Sequence, residues 1–110
     1  MMQLRIYSVA LDVARRMSGV ATTIGRYDRK LADQLRRAST SMVLGIAEGS
    51  SSRRGNKTLR YSESLGSAQE ALACLEIAVA VGYIDRVDEG LADDVDRVIA
   101  TMWKLAMRAK

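Results

Sequence analysis

Four stretches of the chain repeat apolar residues every three or four positions, the spacing of one helix face. The first carries Ile6, Ala10, Val13, Met17, Val20 and Ile24, beside a second stripe of Tyr7, Leu11, Ala14, Ser18 and Ala21, and breaks at Gly25. The second opens at Asp28, a suitable N-cap, and presents Leu31, Leu35, Ala38, Met42 and Ile46. The third, from about Asn56, presents Thr58, Tyr61, Leu65, Ala68, Leu72, Leu75 and Val79. It stops at Gly82, with Tyr83 as the apolar residue that follows a Schellman glycine. The fourth begins near Asp88, whose carboxylate suits the positive end of a helix dipole, as does that of Glu89. Its seam is Leu91, Val95, Val98, Met102, Leu105 and Ala109. The spacing predicts helices over residues 6–24, 28–48, 56–81 and 88–109. Short connections predict an all-α fold, an antiparallel up-down-up-down four-helix bundle, with residues 1–110 as a single domain.

Composition agrees. Proline and phenylalanine are absent, and the length of 110 residues suits one core. The longest uncharged run, Ala38 to Ala47, is ten residues, too short to span a bilayer, and the start MMQLRIYSVALD lacks the apolar core of a signal peptide. The single cysteine, Cys74, excludes an internal disulfide and fits a reducing compartment. A cytoplasmic protein with no membrane partner is the expectation.

There is more apolar surface than one bundle requires. Met42, Val43, Leu44, Ile46 and Ala47 sweep roughly 200° of helix circumference at about 100° per residue. Trp103, with Ile99 and Ala106, adds a second stripe on the fourth segment. A deeply buried helix accounts for this, and so does a subunit interface; Met42, Val43, Leu44 and Trp103 are the interface candidates.

Charge is divided unevenly along the chain. Residues 1–60 carry twelve basic and four acidic side chains, and residues 61–110 five basic and nine acidic. The basic residues concentrate at Arg26, Arg29, Lys30, Arg36 and Arg37, then at Arg53, Arg54, Lys57 and Arg60. Between these groups lies a glycine-serine break. Gly49 offers a helix exit without a Cβ penalty, Ser50, Ser51 and Ser52 read as a polar loop, and one of them or Asn56 can cap the next helix. Glu48 sits where the dipole disfavours an anion, so it is expected to pair with Arg53, Arg54, Lys57 or Arg60. Glu48 and Gly49 then form a structural clamp.

The stretch QLRRASTSMVLGIAEGSSSRR, Gln34 to Arg54, resembles the QLRRAA-S-VLNIAEG signature of a family of small bacterial four-helix-bundle proteins. That family was first noticed as products of intervening sequences in 23S rRNA genes. A second block, Leu65-Gly66-Ser67-Ala68-Gln69-Glu70, is similar to the family's A-L-G-S-x-x-E, and Gly82-Tyr83-Ile84 follows. The resemblance runs from Tyr7 to about Asp85. It implies bundles assembled into five-fold rings, hence a homopentamer. A more distant branch of the fold is the accessory protein of diversity-generating retroelements, which binds a reverse transcriptase and nucleic acid. Two departures stand out. Gly45 replaces the family's usual Asn, and Lys57-Thr58-Leu59-Arg60-Tyr61 replaces an acidic residue and an aromatic.

Catalytic chemistry is hard to find. Histidine is absent, which removes the commonest general base and transition-metal ligand. Cys74, among Ala71, Leu72, Ala73 and Leu75, reads as apolar filler. Glu63 and Glu70 share a helix face, and Asp85, Asp88, Glu89, Asp93, Asp94 and Asp96 cluster near the fourth helix start. A solvated, dipole-matched helix start explains that cluster better than a magnesium site. No enzyme activity, metal or cofactor is expected. The leading expectation is a non-enzymatic oligomeric scaffold binding RNA or single strands without sequence specificity, through Arg36, Arg37, Arg53, Arg54, Lys57 and Arg60. The alternative is a protein-interaction accessory module, for example for a reverse transcriptase.

Overall fold

A computed structural model describes residues 5–108, with the backbone alone at Arg54 and Gly55. Helix α1 spans Arg5–Gly25, α2 Arg29–Ser51, α3 Arg54–Ala80 and α4 Glu89–Arg108, and no strand occurs among the described residues. Each helix packs on its neighbours in the chain, and α1 against α4 closes a four-helix bundle. The bundle measures 42 × 24 × 22 Å. Its long axis matches α3, whose 27 residues reach about 40 Å at 1.5 Å per residue. No helix among the described residues is long and apolar enough to cross a membrane. Ala109, the expected last seam position of the fourth helix, lies outside the described residues.

Three expected helix ends are made as the residue types suggest. The Asp28 carboxylate accepts from the Leu31 amide at 3.0 Å, and that of Asp88 from the Leu91 amide at 3.1 Å. Gly82 takes φ +84°, and the Tyr83 and Gly82 amides donate to Ala78 O at 2.8 Å and Val79 O at 3.1 Å, a Schellman closure. Tyr83 then stacks on Tyr27, with ring centroids 5.4 Å apart, and its hydroxyl donates to Asp28 at 3.4 Å. The α1–α2 and α3–α4 connections therefore meet at one end of the bundle.

The seams of α1 and α4 are close to the expected ones and slip by one residue in their last turns. Ala21 rather than Val20 is buried on α1, and Ala106 rather than Leu105 on α4. A strict 3.5-residue repeat drifts by about 20° per heptad against a 3.6-residue helix, so a straight helix brings in the next position. Between these two helices Arg16 reaches over to Asp94 while also pairing with Asp12 on its own helix at 2.8 Å. The Asp94 hydrogen bond and the two carboxylate charges push the Arg16 guanidinium further above its ordinary value. Its Nε is enclosed without a partner among the described residues.

Helix α3 departs most from expectation. Its buried line is Tyr61, Ser64, Ala68, Ala71, Cys74, Leu75 and Ala78, whereas Leu65, Leu72 and Val79 are only partly buried. The cause is the close approach of α2. A Cβ on Gly45 would meet the Ser64 Cβ at 2.7 Å and Arg60 O at 3.0 Å, and one on Gly49 would meet the Tyr61 ring at 2.4 Å. Small residues must face each other where two backbones come this near. Ser64, fully buried, donates from its hydroxyl to Met42 O at 2.7 Å, which satisfies its one polar group. Gly45, a departure from the family signature, thus has a packing reason.

The glycine-serine break is not a loop. Helix α2 continues through Gly49 to Ser51, and only Ser52 and Arg53 separate it from α3. Ser50 Oγ donates to Ile46 O at 2.8 Å, and Ser51 and Ser52 donate to Glu48 O, so the serines bond back into the helix they were expected to leave. Arg53 occupies the N-cap of α3 with no side-chain capping bond, and neither the serines nor Asn56 caps that helix. Residues 81–88 form the longest connection instead.

Candidate nucleic-acid interface

The six basic residues expected to bind nucleic acid fall into two separate groups. Arg36 and Arg37 project from the solvent side of α2. The Arg36 guanidinium donates to Ser18 Oγ at 2.9 Å and to Thr22 Oγ1 at 3.0 Å, so two hydroxyls of α1 hold it in place without neutralising it. Arg53 is exposed at the α2–α3 turn, about 24 Å from Arg37 along the helix axis at 1.5 Å per residue. Arg54 begins α3, and its side chain lies outside the described residues.

Lys57 and Arg60 have internal tasks. The Lys57 ammonium donates to Gly49 O at 3.0 Å and Ser50 O at 3.3 Å, closing the α2 C-terminus, where a cation is favoured by the dipole. Arg60 pairs with Glu63 one turn along at 2.9 Å. Glu48 makes no ion pair among the described residues. The expected clamp is therefore made differently: Lys57 binds backbone carbonyls, and Gly49 admits the Tyr61 ring instead of ending the helix.

Seven-residue spacing extends the α2 group. Arg29 shares its face with Arg36, and Lys30 with Arg37, each pair about 10.5 Å apart along the axis. All four are exposed, and none pairs with a carboxylate among the described residues. That spacing was readable in the sequence and outweighs the loop cluster. Of the two tyrosines near basic residues, Tyr61 is buried against Gly49, while Tyr27 is 64% exposed at the start of α2 with one ring face covered by Tyr83.

The apolar surplus also divides. Met42 is fully enclosed and Val43 nearly so, which corrects their placement at a subunit contact: the bundle core uses both. Leu44 and Trp103 remain 53% and 58% exposed, and Met107 lies one turn beyond Trp103. Leu44 lines a groove of about 510 Å³ between α2 and α3, together with Glu48, Glu63 and Glu70 and the glycines Gly45 and Gly66. Gly66 is exposed, and a Cβ there would meet nothing within 4 Å. The same holds at Gly19 on α1, so neither mid-helix glycine, each costing about 1 kcal/mol against alanine, has a reason within its own chain.

Two of the carboxylates near the start of α4 have structural partners: Asp88 caps the helix, and Asp94 holds Arg16 and Arg97. Cys74 is buried, and burial, with Glu70 nearby, pushes its thiol above the ordinary value, away from the reactive thiolate.

The model of the family described as 23S rRNA-intervening sequence protein matches residues 2–104. The chain belongs to that family. Its two signature blocks now have a structural meaning, because they lie on the two helices of the close contact: Gly49 of the first admits Tyr61, and Ala68 of the second lies on the buried line of α3. No curated protein and no solved structure matches the chain.

Proposed function

We propose that this family member is a non-enzymatic, oligomeric scaffold that binds RNA or other single strands through the outward face of α2, without sequence specificity. The observation that carries this reading is the exposed set Arg29, Lys30, Arg36 and Arg37, free of carboxylate partners among the described residues. Such guanidinium and ammonium groups attract phosphates, and phosphate contacts carry no base information. Tyr27 offers one open ring face beside them for a base to stack upon.

The bundle is read as antiparallel and up-down-up-down. Partners along α2 and α3 run in opposite order, Met42 with Ser64 and Gly49 with Lys57, and so do Arg36 with Ser18 and Gly25 with Ala32 on α1 and α2. The assembly is a closed homo-oligomer, with the five-membered ring that the family resemblance implies, working in the cytoplasm. Exposed Leu44 and Trp103 support subunit contact. Leu44→Asp shifts light scattering toward smaller species if its face is a joint.

The binding test measures anisotropy of two unrelated labelled RNAs across a salt series. The double variant Arg36→Ala, Arg37→Ala should weaken both alike and make the log–log salt slope shallower by about 1.4. Arg53→Ala should do less. Absence of wild-type binding at low salt overturns the RNA reading. It favours the accessory-module reading, in which the same unpaired cations meet an acidic protein such as a reverse transcriptase.

A further inference from the structure

Resting on the oligomer reading above, we infer that the α2–α3 groove receives α4 of a second copy of this chain, with Trp103 and Met107 seated over Gly45 and Gly66 beside Leu44. Three observations point to that occupant. Trp103 and Met107 are a turn apart on α4 and both at least half exposed, an apolar ridge that its own bundle leaves uncovered. Lys104 and Arg108 flank the ridge at the same spacing, exposed and without ion pairs among the described residues. The groove is the reverse in shape and charge. Its lining includes two glycines, Gly45 and Gly66, and carries Glu48, Glu63 and Glu70 against Arg60 alone, which Glu63 already holds.

The open space above Gly66 has its explanation here. Nothing within the chain requires a glycine at this exposed position, whereas an indole arriving from outside does. A polyanion is a poor occupant, because Glu48 and Glu70, without ion pairs among the described residues, repel it. A tryptophan set into a desolvated pocket with charged neighbours at its edge is the usual composition of an interface centre. Ridge and groove are different surfaces, so the contact is heterologous and propagates from subunit to subunit until it closes.

Cysteine pairing tests the contact in a Cys74→Ala background. Subunits carrying Ser67→Cys, in the groove lining, are mixed with subunits carrying Lys104→Cys, beside the ridge, and oxidised, and disulfides linking the two kinds should form while neither kind links to itself. In parallel, Gly66→Gln should weaken assembly about tenfold or more despite its better helix propensity, since the added side chain fills the groove. Gly19→Gln, equally open but outside the lining of this groove, should raise the midpoint and leave assembly unchanged. A wild-type oligomer with no cross-kind disulfide, or with assembly equal in the two glycine variants, overturns this pairing and leaves oligomerisation standing. A wild-type monomer in light scattering at micromolar concentration overturns both.

Discussion

Between α2 and α3 the groups that meet are Gly45, Gly49, Ser64 and the Tyr61 ring, and the backbones themselves come close enough to exclude a Cβ. The buried side chains of α1 and α4 include Met17, Val13, Leu91 and Val95, with Arg16 reaching across from α1 to Asp94. The first contact owes its specificity to what is missing: a methyl group at either glycine has nowhere to go. The second owes its cohesion to what is present, and long side chains can adjust to a change. A tight contact of small residues fixes the distance and register of two helices. A contact of large flexible residues tolerates error in both. The α2–α3 pair is therefore the rigid half of the bundle, and it also carries the proposed RNA face and the groove.

One substitution on each side of this comparison separates the two kinds of contact. Gly45→Ala has the largest expected effect. Its Cβ collides with Ser64 Cβ and with backbone atoms of α3, which cannot rotate aside. Overpacking of this kind costs about 1–3 kcal/mol, and the parting of two backbones places it at the upper end, above the gain of about 1 kcal/mol in helix propensity. A net loss of about 2 kcal/mol is expected in urea unfolding at fixed protein concentration, since assembly is linked to stability. Equal or greater stability of the alanine variant breaks the account of the α2–α3 contact.

Arg16→Met probes the other side and should change stability by less than about 1 kcal/mol. Methionine keeps most of the packed stem, and the enclosed, unpartnered Nε disappears. Asp94 retains Arg97 at 3.5 Å, and Asp12 retains Arg15 at 2.7 Å, so neither carboxylate is stranded. A loss as large as that of Gly45→Ala shows that the α1–α4 contact is as exacting as the α2–α3 one.

The two contacts were also unequally legible in the amino-acid sequence. Large apolar residues at three- and four-residue spacing mark the α1 and α4 seams, but Ala21 and Ala106 take the places of Val20 and Leu105, and Leu11 and Ser18 of the second α1 stripe are exposed rather than part of a widened buried face. On α3 the same pattern found Tyr61, Ala68 and Leu75 but also pointed at the partly buried Leu65, Leu72 and Val79, while Ser64, Ala71, Cys74 and Ala78 complete the buried line. Glycine, serine and alanine have little hydrophobic signal, so close approach is invisible to periodicity. The serines after Gly49 misled for a related reason: their hydroxyls satisfy either a turn or the carbonyls of a continuing helix, and composition does not choose. Of the candidate site, the exposed Arg36 and Arg37 were legible. The diversion of Lys57 to backbone carbonyls was not, since it depends on a two-residue connection that the sequence concealed.

Acid offers the smallest effect and tests whether the α1 charges beside the α1–α4 contact are coupled at all. The Arg15 hydrogen bond, helped by the charges of Arg16 and Arg15, holds the Asp12 carboxyl below its ordinary range against the opposing effect of burial. The folded chain thus favours the ionised form more than the unfolded chain does. Its contribution is complete above the unfolded value of about 3.9 and is lost as pH falls through the lower folded value. The Asp12 carbon resonance should titrate below that ordinary value in the folded protein. Asp12→Asn should flatten the acid limb of the stability profile below about pH 4 and leave neutral pH nearly unchanged, because the pair is exposed and screened. An Asp12 titration at the ordinary value, unaltered by Arg15→Ala, shows that the α1 charges sit beside one another without coupling.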